Sequence, residues 1–229
     1  MKLSLACLGI LVALLIAIPA TADSVYIIGN PPDPGSGNCF PFGCAYNAEY
    51  QQVYGASDFT GPLQIHSLEL FNTQNDNGAT ETPTGTFTIN LSTTQVGVND
   101  ISGTFAQNIG PDNTQVFSGS INQSWQFGNT LVVTFSQDYY YDPAKGNLLV
   151  DIVGDGVNTP FGSIYYDVNS TGGFFSRVYC PGGQACQDGT VQNGYGWVTG
   201  FDYVPEPGTL VMLGTGLIGA VGAIRRRVV

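Results

Sequence analysis

The stretch Thr82-Pro-Thr-Gly-Thr-Phe-Thr-Ile-Asn-Leu-Ser-Thr-Thr94 alternates polar and apolar residues along most of its length. Phe87, Ile89 and Leu91 share one parity, and hydroxyl or amide residues fill the even positions up to Thr94. Successive side chains of a strand point to opposite faces, so the pattern predicts a strand with one face in a core and one in water. The threonine row also suggests an ice-binding face, but threonine is a common solvent-facing strand residue and no neighbouring repeat extends the row.

The same texture continues between Asp23 and Tyr203. Short segments rich in valine, isoleucine, threonine and aromatic residues alternate with glycine, asparagine, aspartate and proline, and none keeps a 3.6-residue period. The predicted strands are Val25 to Ile28, Glu49 to Tyr54, Leu63 to Phe71, Gly85 to Thr94, Thr114 to Ser118, Leu131 to Ser136, Leu148 to Val153, Ser163 to Val168, Phe174 to Tyr179 and Gly194 to Tyr203. About ten short strands in one domain predict an all-β fold, an antiparallel two-sheet sandwich or jelly roll.

The predicted strand Leu63 to Phe71 changes parity in its middle. Its first two apolar residues lie on one face and its next two on the other, so a β-bulge near His66 and Ser67 is predicted to restore a single apolar face. His66 is the only histidine in the chain. We therefore expect a histidine that is exposed or packed in the bulge, rather than a member of a Ser-His-Asp triad or of a histidine-rich metal site.

The charge of the body is strongly acidic. Between Asp23 and Tyr203 there are sixteen acidic residues, and the only basic ones are Lys145 and Arg177, which gives a net charge of −14. Such a surface has no basic patch that could release counterions from phosphates, so we expect no binding to nucleic acid or to an anionic membrane surface. Solubility in an ionic environment explains the acidity, and a cation-binding surface is the alternative.

Four cysteines of the body indicate disulfides in an exported chain: Cys39, Cys44, Cys180 and Cys186. Three connectivities are open. Each close pair encloses proline and glycine, so the local bridges Cys39–Cys44 and Cys180–Cys186 are favoured. A zinc site made of all four is the alternative, although its spacings fit zinc knuckles only loosely.

A row of aromatic residues ends the body. Tyr195, Trp197, Phe201 and Tyr203 share one parity, so they are predicted to lie on one face of the last strand. Such a row can form a stacking platform for sugars, which would make the body a carbohydrate-binding module. It can equally fill the core of the sandwich, and aromatic residues carry much of the burial in a core.

Acidic turns offer candidate ligands for Ca²⁺. Asp151 and Asp155 are the candidate pair, and the segment Asn75-Asp76-Asn77-Gly78 is a further one. Neither matches the ligand spacing of a calcium loop, so the expected cofactor is none, with Ca²⁺ as the alternative. The sequence also contains no nucleophile elbow, no His-Glu-x-x-His and no phosphate-binding glycine loop, so we expect no enzyme, with a glycoside hydrolase as a distant alternative.

The chain begins with the pattern of a secretory signal peptide. Lys2 supplies the positive end, Leu3 to Ile18 is apolar, and small residues precede a predicted cleavage after Ala22. Residues 1–22 are therefore the predicted signal peptide, and residues 23–203 the exported β-sandwich body.

The last 26 residues, 204–229, carry the clearest signal in the chain. A Pro-Glu-Pro element precedes an uncharged apolar run over residues 208–224, and three arginines close it. The element comprises Val204, Pro205, Glu206 and Pro207, and the basic end comprises Arg225, Arg226 and Arg227. Seventeen helical residues span roughly 25 Å, just short of a bilayer core of ~30 Å, so a single membrane helix with a positive cytoplasmic end is predicted.

This tail resembles the PEP-CTERM sorting signal. The resemblance implies recognition of the Pro-Glu-Pro element by exosortase, a membrane protease-transpeptidase, in a Gram-negative bacterium that makes exopolysaccharide. It implies that the body is exported, is anchored by the C-terminal helix, and reaches the cell surface or the extracellular matrix. We therefore expect a non-enzymatic surface or matrix protein, with exopolysaccharide as a candidate partner of the body.

Overall fold

The computed structural model describes residues 24–43, 49–76, 80–157, 164–180 and 186–204. The predicted signal peptide and the predicted membrane helix, residues 208–224, lie outside these ranges. None of the helices within the ranges is both long and apolar enough to cross a bilayer.

The described residues form thirteen strands and three short 3₁₀ turns. The strands are β1 (Ser24–Ile28), β2 (Gly37–Asn38), β3 (Glu49–Tyr54), β4 (Leu63–Phe71), β5 (Thr86–Thr94), β6 (Thr114–Gly119), β7 (Thr130–Tyr141), β8 (Asn147–Asp155), β9 (Tyr166–Asn169), β10 (Phe175–Tyr179), β11 (Thr190–Asn193), β12 (Gly196–Trp197) and β13 (Thr199–Val204). The predicted all-β class is confirmed.

The strands form three sheets. The four-stranded sheet has the order β1-β13-β4-β7, the six-stranded sheet has the order β11-β10-β3-β8-β5-β6, and the three-stranded sheet has the order β12-β9-β2. The strand pairings whose register is described are antiparallel. The sequence predicted two sheets and did not predict the small third sheet, β12-β9-β2.

One core cluster takes side chains from both larger sheets. Leu70 and Leu131 come from the four-stranded sheet, and Ile89 and Val150 come from the six-stranded sheet, all with no exposed surface. Full burial of such a side chain contributes about 1.5–3 kcal/mol, so this shared cluster is the main source of stability. The face of each sheet that contributes to it is called the inner face below.

The prediction that one face of β5 is exposed to solvent is confirmed for the first half of the strand and wrong for the second half. Thr86 is exposed, but Ser92 and Thr94 are only 1% and 2% exposed. Residues 95–113, called the covering segment below, fold over this outer face, and the amide of Gly110 donates to the Ser92 hydroxyl at 3.0 Å. The buried hydroxyls bond to protein instead of water, so the row is not the open threonine surface that ice binding requires.

The predicted bulge in β4 is confirmed. The register between β4 and β7 shifts between Ile65 and Ser67, and the apolar residues on both sides of the shift face the core. His66 lies at the shift, and its Nδ1 atom is 2.6 Å from Oδ1 of Asp138. Its Nε2 atom and the hydroxyl of Ser67 have no hydrogen-bond partner, so these groups do not form a Ser-His-Asp triad.

The predicted final strand, Gly194 to Tyr203, is two strands in two different sheets. β12 pairs with β9, whereas β13 pairs with β1. The change occurs at Val198, whose amide donates to the carbonyl of Asp167 at 3.0 Å, and the Thr199 hydroxyl bonds back to the carbonyl of Trp197 at 3.2 Å. The alternation of side chains continues across this break, so parity alone predicted one strand.

The covering segment passes close to the backbone of β5 at Gly110, where an added Cβ atom would overlap the carbonyl oxygen of Thr93. We expect Gly110→Ala to lower the free energy of unfolding by about 2–3 kcal/mol, since backbone atoms must shift to admit the methyl group. Urea denaturation measures this loss. Gly61→Ala is the control, because a Cβ atom there meets nothing within 4 Å, and its effect is expected within about 0.5 kcal/mol. Equal stability of the two variants would contradict the contact.

Candidate functional site

A row of polar side chains crosses the outer face of the six-stranded sheet. Gln51 of β3 and Asn90 of β5 are the cross-strand partners of Asp151 on β8. Gln51 has no exposed surface, and Asp151 is 4% exposed. The Nδ2 atom of Asn90 donates to Oδ2 of Asp151 at 3.2 Å. Pairing within the sheet therefore brings together residues from three separate parts of the sequence.

A second carboxyl group lies beside this row. Glu49 begins β3 two residues before Gln51, on the same face, and is the diagonal neighbour of Asp151 across the strand pair. Partial burial, and then the carboxylate of Asp151, raise the pKa of Glu49 to about 7. Burial also raises the pKa of Asp151, although hydrogen bonds from Asn90 and Gln51 oppose that rise. Two carboxyl groups in contact hold one proton between them near neutral pH.

The covering segment closes over one end of the row. Asn108 donates to Oε1 of Gln51 at 2.9 Å, and Nε2 of Gln51 donates to the carbonyl of Phe105 at 3.3 Å. Phe105 packs with Leu149 in a second, smaller apolar cluster on this face. A groove of about 520 Å³ remains beside Glu49, and residues 104–106 and 186–188 line its other side. The groove exposes Glu49 to solvent, whereas Asp151 is not among its lining residues.

The predicted calcium ligands do not come together. Asp151 and Asp155 lie four residues apart in one continuous strand, which separates their Cα atoms by about 13 Å. Ligands of one Ca²⁺ lie within about 2.6 Å of the ion, so the predicted pairing of these two residues is wrong. Part of the second candidate, Asn75 to Gly78, lies outside the described residues. Among the described side chains, no group of three or more histidine, cysteine, aspartate or glutamate residues is placed to hold a metal.

The predicted sugar-stacking row belongs largely to the core. Trp197 and Phe201 have no exposed surface. The Trp197 ring stacks on Tyr50 with a centroid distance of 4.1 Å. Tyr195 and Tyr203 are partly exposed and pack against the same cluster. A sugar cannot stack on a ring without exposed surface, so the platform prediction is wrong for Trp197 and Phe201.

Arg177 is a buried cation that the sequence prediction missed. Its side chain is 2% exposed on the inner face of β10, and its Nε atom donates to Oε1 of Gln192 at 2.7 Å. Its guanidinium lies over several aromatic rings, nearest that of Tyr195 at 4.3 Å from the centroid. Phe175 and Tyr179 lie on the same face of β10 as Arg177. The alternation of this strand could therefore have predicted an arginine among aromatic residues. Among the described residues, no carboxylate forms an ion pair with Arg177. The attraction between its charge and the aromatic rings offsets part of the cost of burying it.

The predicted local disulfide Cys180–Cys186 is present, with Cα atoms 5.8 Å apart. The other predicted bridge, Cys39–Cys44, includes a residue outside the described ranges. Cys180 also belongs to the apolar cluster under the covering segment. The bridge therefore fixes the chain next to the groove beside Glu49.

β13 is the last strand that the structure describes. Ser24, the first described residue, pairs with Tyr203 near the end of β13. The two ends of the described chain therefore lie side by side in the four-stranded sheet. β13 ends at Val204 and lies between β1 and β4 in the sheet. Pro205 follows directly, and proline cannot donate to a sheet ladder.

Residues 204–227 match the family model described as the PEP-CTERM protein-sorting motif. The tail is a PEP-CTERM sorting motif. The match includes the predicted Pro-Glu-Pro element and the predicted basic end. Searches of curated proteins and of solved structures gave no match for the chain.

The PEP-CTERM motif implies an exported protein that an exosortase sorts and processes. Its first residue, Val204, is also the last residue of β13. The sorting signal therefore follows the folded body without an intervening linker. The motif covers about a tenth of the chain and identifies the route of the protein, not an activity of its body.

Proposed function

We propose that this chain is a non-enzymatic surface or matrix protein of a Gram-negative bacterium. Its acidic β body is carried across the inner membrane, held briefly by the C-terminal helix, and transferred to the cell surface or the exopolysaccharide layer. The observation that carries the proposal is the direct junction between β13 and the PEP-CTERM motif at Val204.

The junction supports processing of an already folded body. β13 is hydrogen-bonded in the four-stranded sheet up to the residue where the motif begins, so the sheet limits cleavage to the segment after Val204. A strand that is paired on both sides resists proteases, and the motif begins at the residue where this strand ends. The net charge of −14 between Asp23 and Tyr203 supports solubility after release.

The test is mass spectrometry of the mature protein from its native host. We expect the wild-type chain to lack residues 1–22 and to end close to the Pro-Glu-Pro element, with the body in the surface or extracellular fraction. The variant with Pro205→Ala, Glu206→Ala and Pro207→Ala should keep its C-terminal residues and remain in the membrane fraction. The physical reason is that the variant lacks the rigid, charged element that the enzyme recognises.

Val211→Leu serves as the control, since it changes an apolar residue to another apolar residue and leaves the Pro-Glu-Pro element and the three arginines intact. Its processing should equal that of the wild type. Recovery of wild-type protein from the cytosol with both ends intact would contradict the proposal. Equal processing of the triple variant and the wild type would contradict the role of the motif.

A further inference from the structure

The carboxyl groups of Glu49 and Asp151 contact each other on the outer face of the six-stranded sheet. Asn90 donates to Oδ2 of Asp151 at 3.2 Å, and Gln51 hydrogen-bonds the same carboxylate from the other neighbouring strand. The buried Oδ1 atom has no donor while Glu49 is ionised. A neutral carboxyl group carries one O–H donor, so a proton on Glu49 completes the hydrogen bonding of this buried carboxylate.

The row of polar groups links the pair to the covering segment. Gln51 bonds Asp151, and it also donates to the carbonyl of Phe105 and accepts from Asn108. The covering segment forms one wall of the groove that exposes Glu49 to solvent. Water that solvates Glu49 from the groove therefore passes this segment.

The other charged groups that face the pair are acidic. Asp155 is the second diagonal neighbour of Glu49 on β8, and Asp188 lines the same groove as Glu49. The outer-facing side chains of β5, β10 and β11, and residues 104–109, include no titratable group. Repulsion from these aspartates therefore adds to that from Asp151 when Glu49 loses its proton.

The basic side chains in the described ranges are engaged away from the pair. Lys145 forms an ion pair with Asp142 in its own turn, and His66 contacts Asp138 on β7. Arg177 lies on the inner face of the six-stranded sheet, on the side opposite the pair. Ionisation of both carboxyl groups therefore places two negative charges together without a cation from the described part of the chain.

We propose that Glu49 and Asp151 form a pH-sensitive latch on the covering segment. With one shared proton the pair satisfies its hydrogen bonds inside the fold, and the covering segment stays closed over the row. When that proton is lost, two adjacent carboxylates require water, which enters from the groove and loosens residues 104–110. Because the PEP-CTERM motif implies export, the latch responds to the pH outside the cytoplasm.

The latch opens as the pH rises. In the closed form the pKa of Glu49 is raised from its ordinary value of 4.5 to about 7, first by burial and then by the Asp151 carboxylate. Below the lower value both the closed and the open form are protonated, and between the two values only the closed form keeps the proton. The contribution of the shared proton to the closed form therefore falls as the pH rises from 4.5 to about 7, and it is lost above that range.

The test is hydrogen exchange of the full-length protein in detergent, read by mass spectrometry on peptides that cover residues 105–110. The amides of Asn108 and Gly110 are hydrogen-bonded there, to the carbonyl of Phe105 and to the hydroxyl of Ser92. After correction for the intrinsic rate, we expect their protection in the wild type to be roughly tenfold lower at about pH 8 than at about pH 5. Tenfold corresponds to about one pKa unit, and the partial exposure of Glu49 keeps the effect below the full shift.

In Glu49→Gln the side-chain amide donates to Asp151 at every pH, so the protection should be equal at the two pH values. Glu49 is partly exposed at the start of β3, so this variant is expected to stay folded. Glu69→Gln is the matched control, because burial and Asp202 also raise the pKa of Glu69, which lies in the other large sheet, and the tenfold loss should persist in it. Equal protection of the wild type at both pH values, a loss that persists in Glu49→Gln, or a loss that disappears in Glu69→Gln would overturn the proposal.

Discussion

Trp197→Ala is expected to lower the free energy of unfolding by about 4–5 kcal/mol. The side chain has no exposed surface and stacks on Tyr50, and its Nε1 atom donates to the carbonyl of Phe40 at 2.8 Å. Its removal costs the transfer free energy of an indole, leaves a cavity and leaves that carbonyl without its donor. Urea denaturation followed by circular dichroism measures the loss.

Two further variants show which part of the interaction matters. Trp197→Phe keeps most of the ring contact and loses the hydrogen bond, so a loss of about 1–2 kcal/mol is expected. Phe127→Ala is the control for an exposed aromatic residue, since Phe127 is 46% exposed, and its effect should stay below about 1 kcal/mol. Trp197→Ala with the stability of the wild type would contradict a core position, and would restore the sugar-stacking hypothesis.

Most of the fold could be predicted from local alternation. The segment around Phe87 to Leu91 and the segment around His66 each carry a parity that fixes which face is buried, and the structure confirms both. β2, by contrast, has two residues, Gly37 and Asn38, which is too short for any periodic pattern. The division at Val198 was also missed, because the parity continues across it while the hydrogen-bond partners change.

The sorting tail and the carboxyl pair differ in how they can be found. The tail is a linear motif over residues 204–227, so its residues are adjacent in the sequence and need no fold to be recognised. Glu49 and Asp151 come together only through the register of β3 and β8. A single sequence predicts the strands but not their pairing. The sequence prediction therefore paired Asp151 with Asp155, which is close to it in the sequence but distant from it in the structure.

The covering segment illustrates a second limit. Ser92 and Thr94 follow the alternation of a solvent-facing strand, and composition offers no sign that residues 95–113 return over them. A hydroxyl satisfies its hydrogen bonds equally well with water and with a covering backbone. The polarity of a strand face therefore predicts which side lies away from the main core, but not whether that side is exposed.

Arg177→Ala is expected to cost about 3–4 kcal/mol of unfolding free energy. The change leaves a cavity among the rings of Tyr50, Tyr179 and Tyr195, and removes the donor that Gln192 accepts from. Cation–π attraction to desolvated rings adds to the loss. Thermal and urea unfolding of the variant measure its size.

Arg177→Met and Arg177→Lys separate packing from charge at the same position. Methionine keeps much of the volume but has no charge, and lysine keeps the charge but lacks the planar group that bonds Gln192 through Nε and stacks on Tyr195. We expect both to be less stable than the wild type, by about 1–2 kcal/mol, because the aromatic rings offset much of the cost of burying the cation. A methionine variant at least as stable as the wild type would show that this cost exceeds the cation–π attraction, and that the buried arginine lowers the stability of the fold.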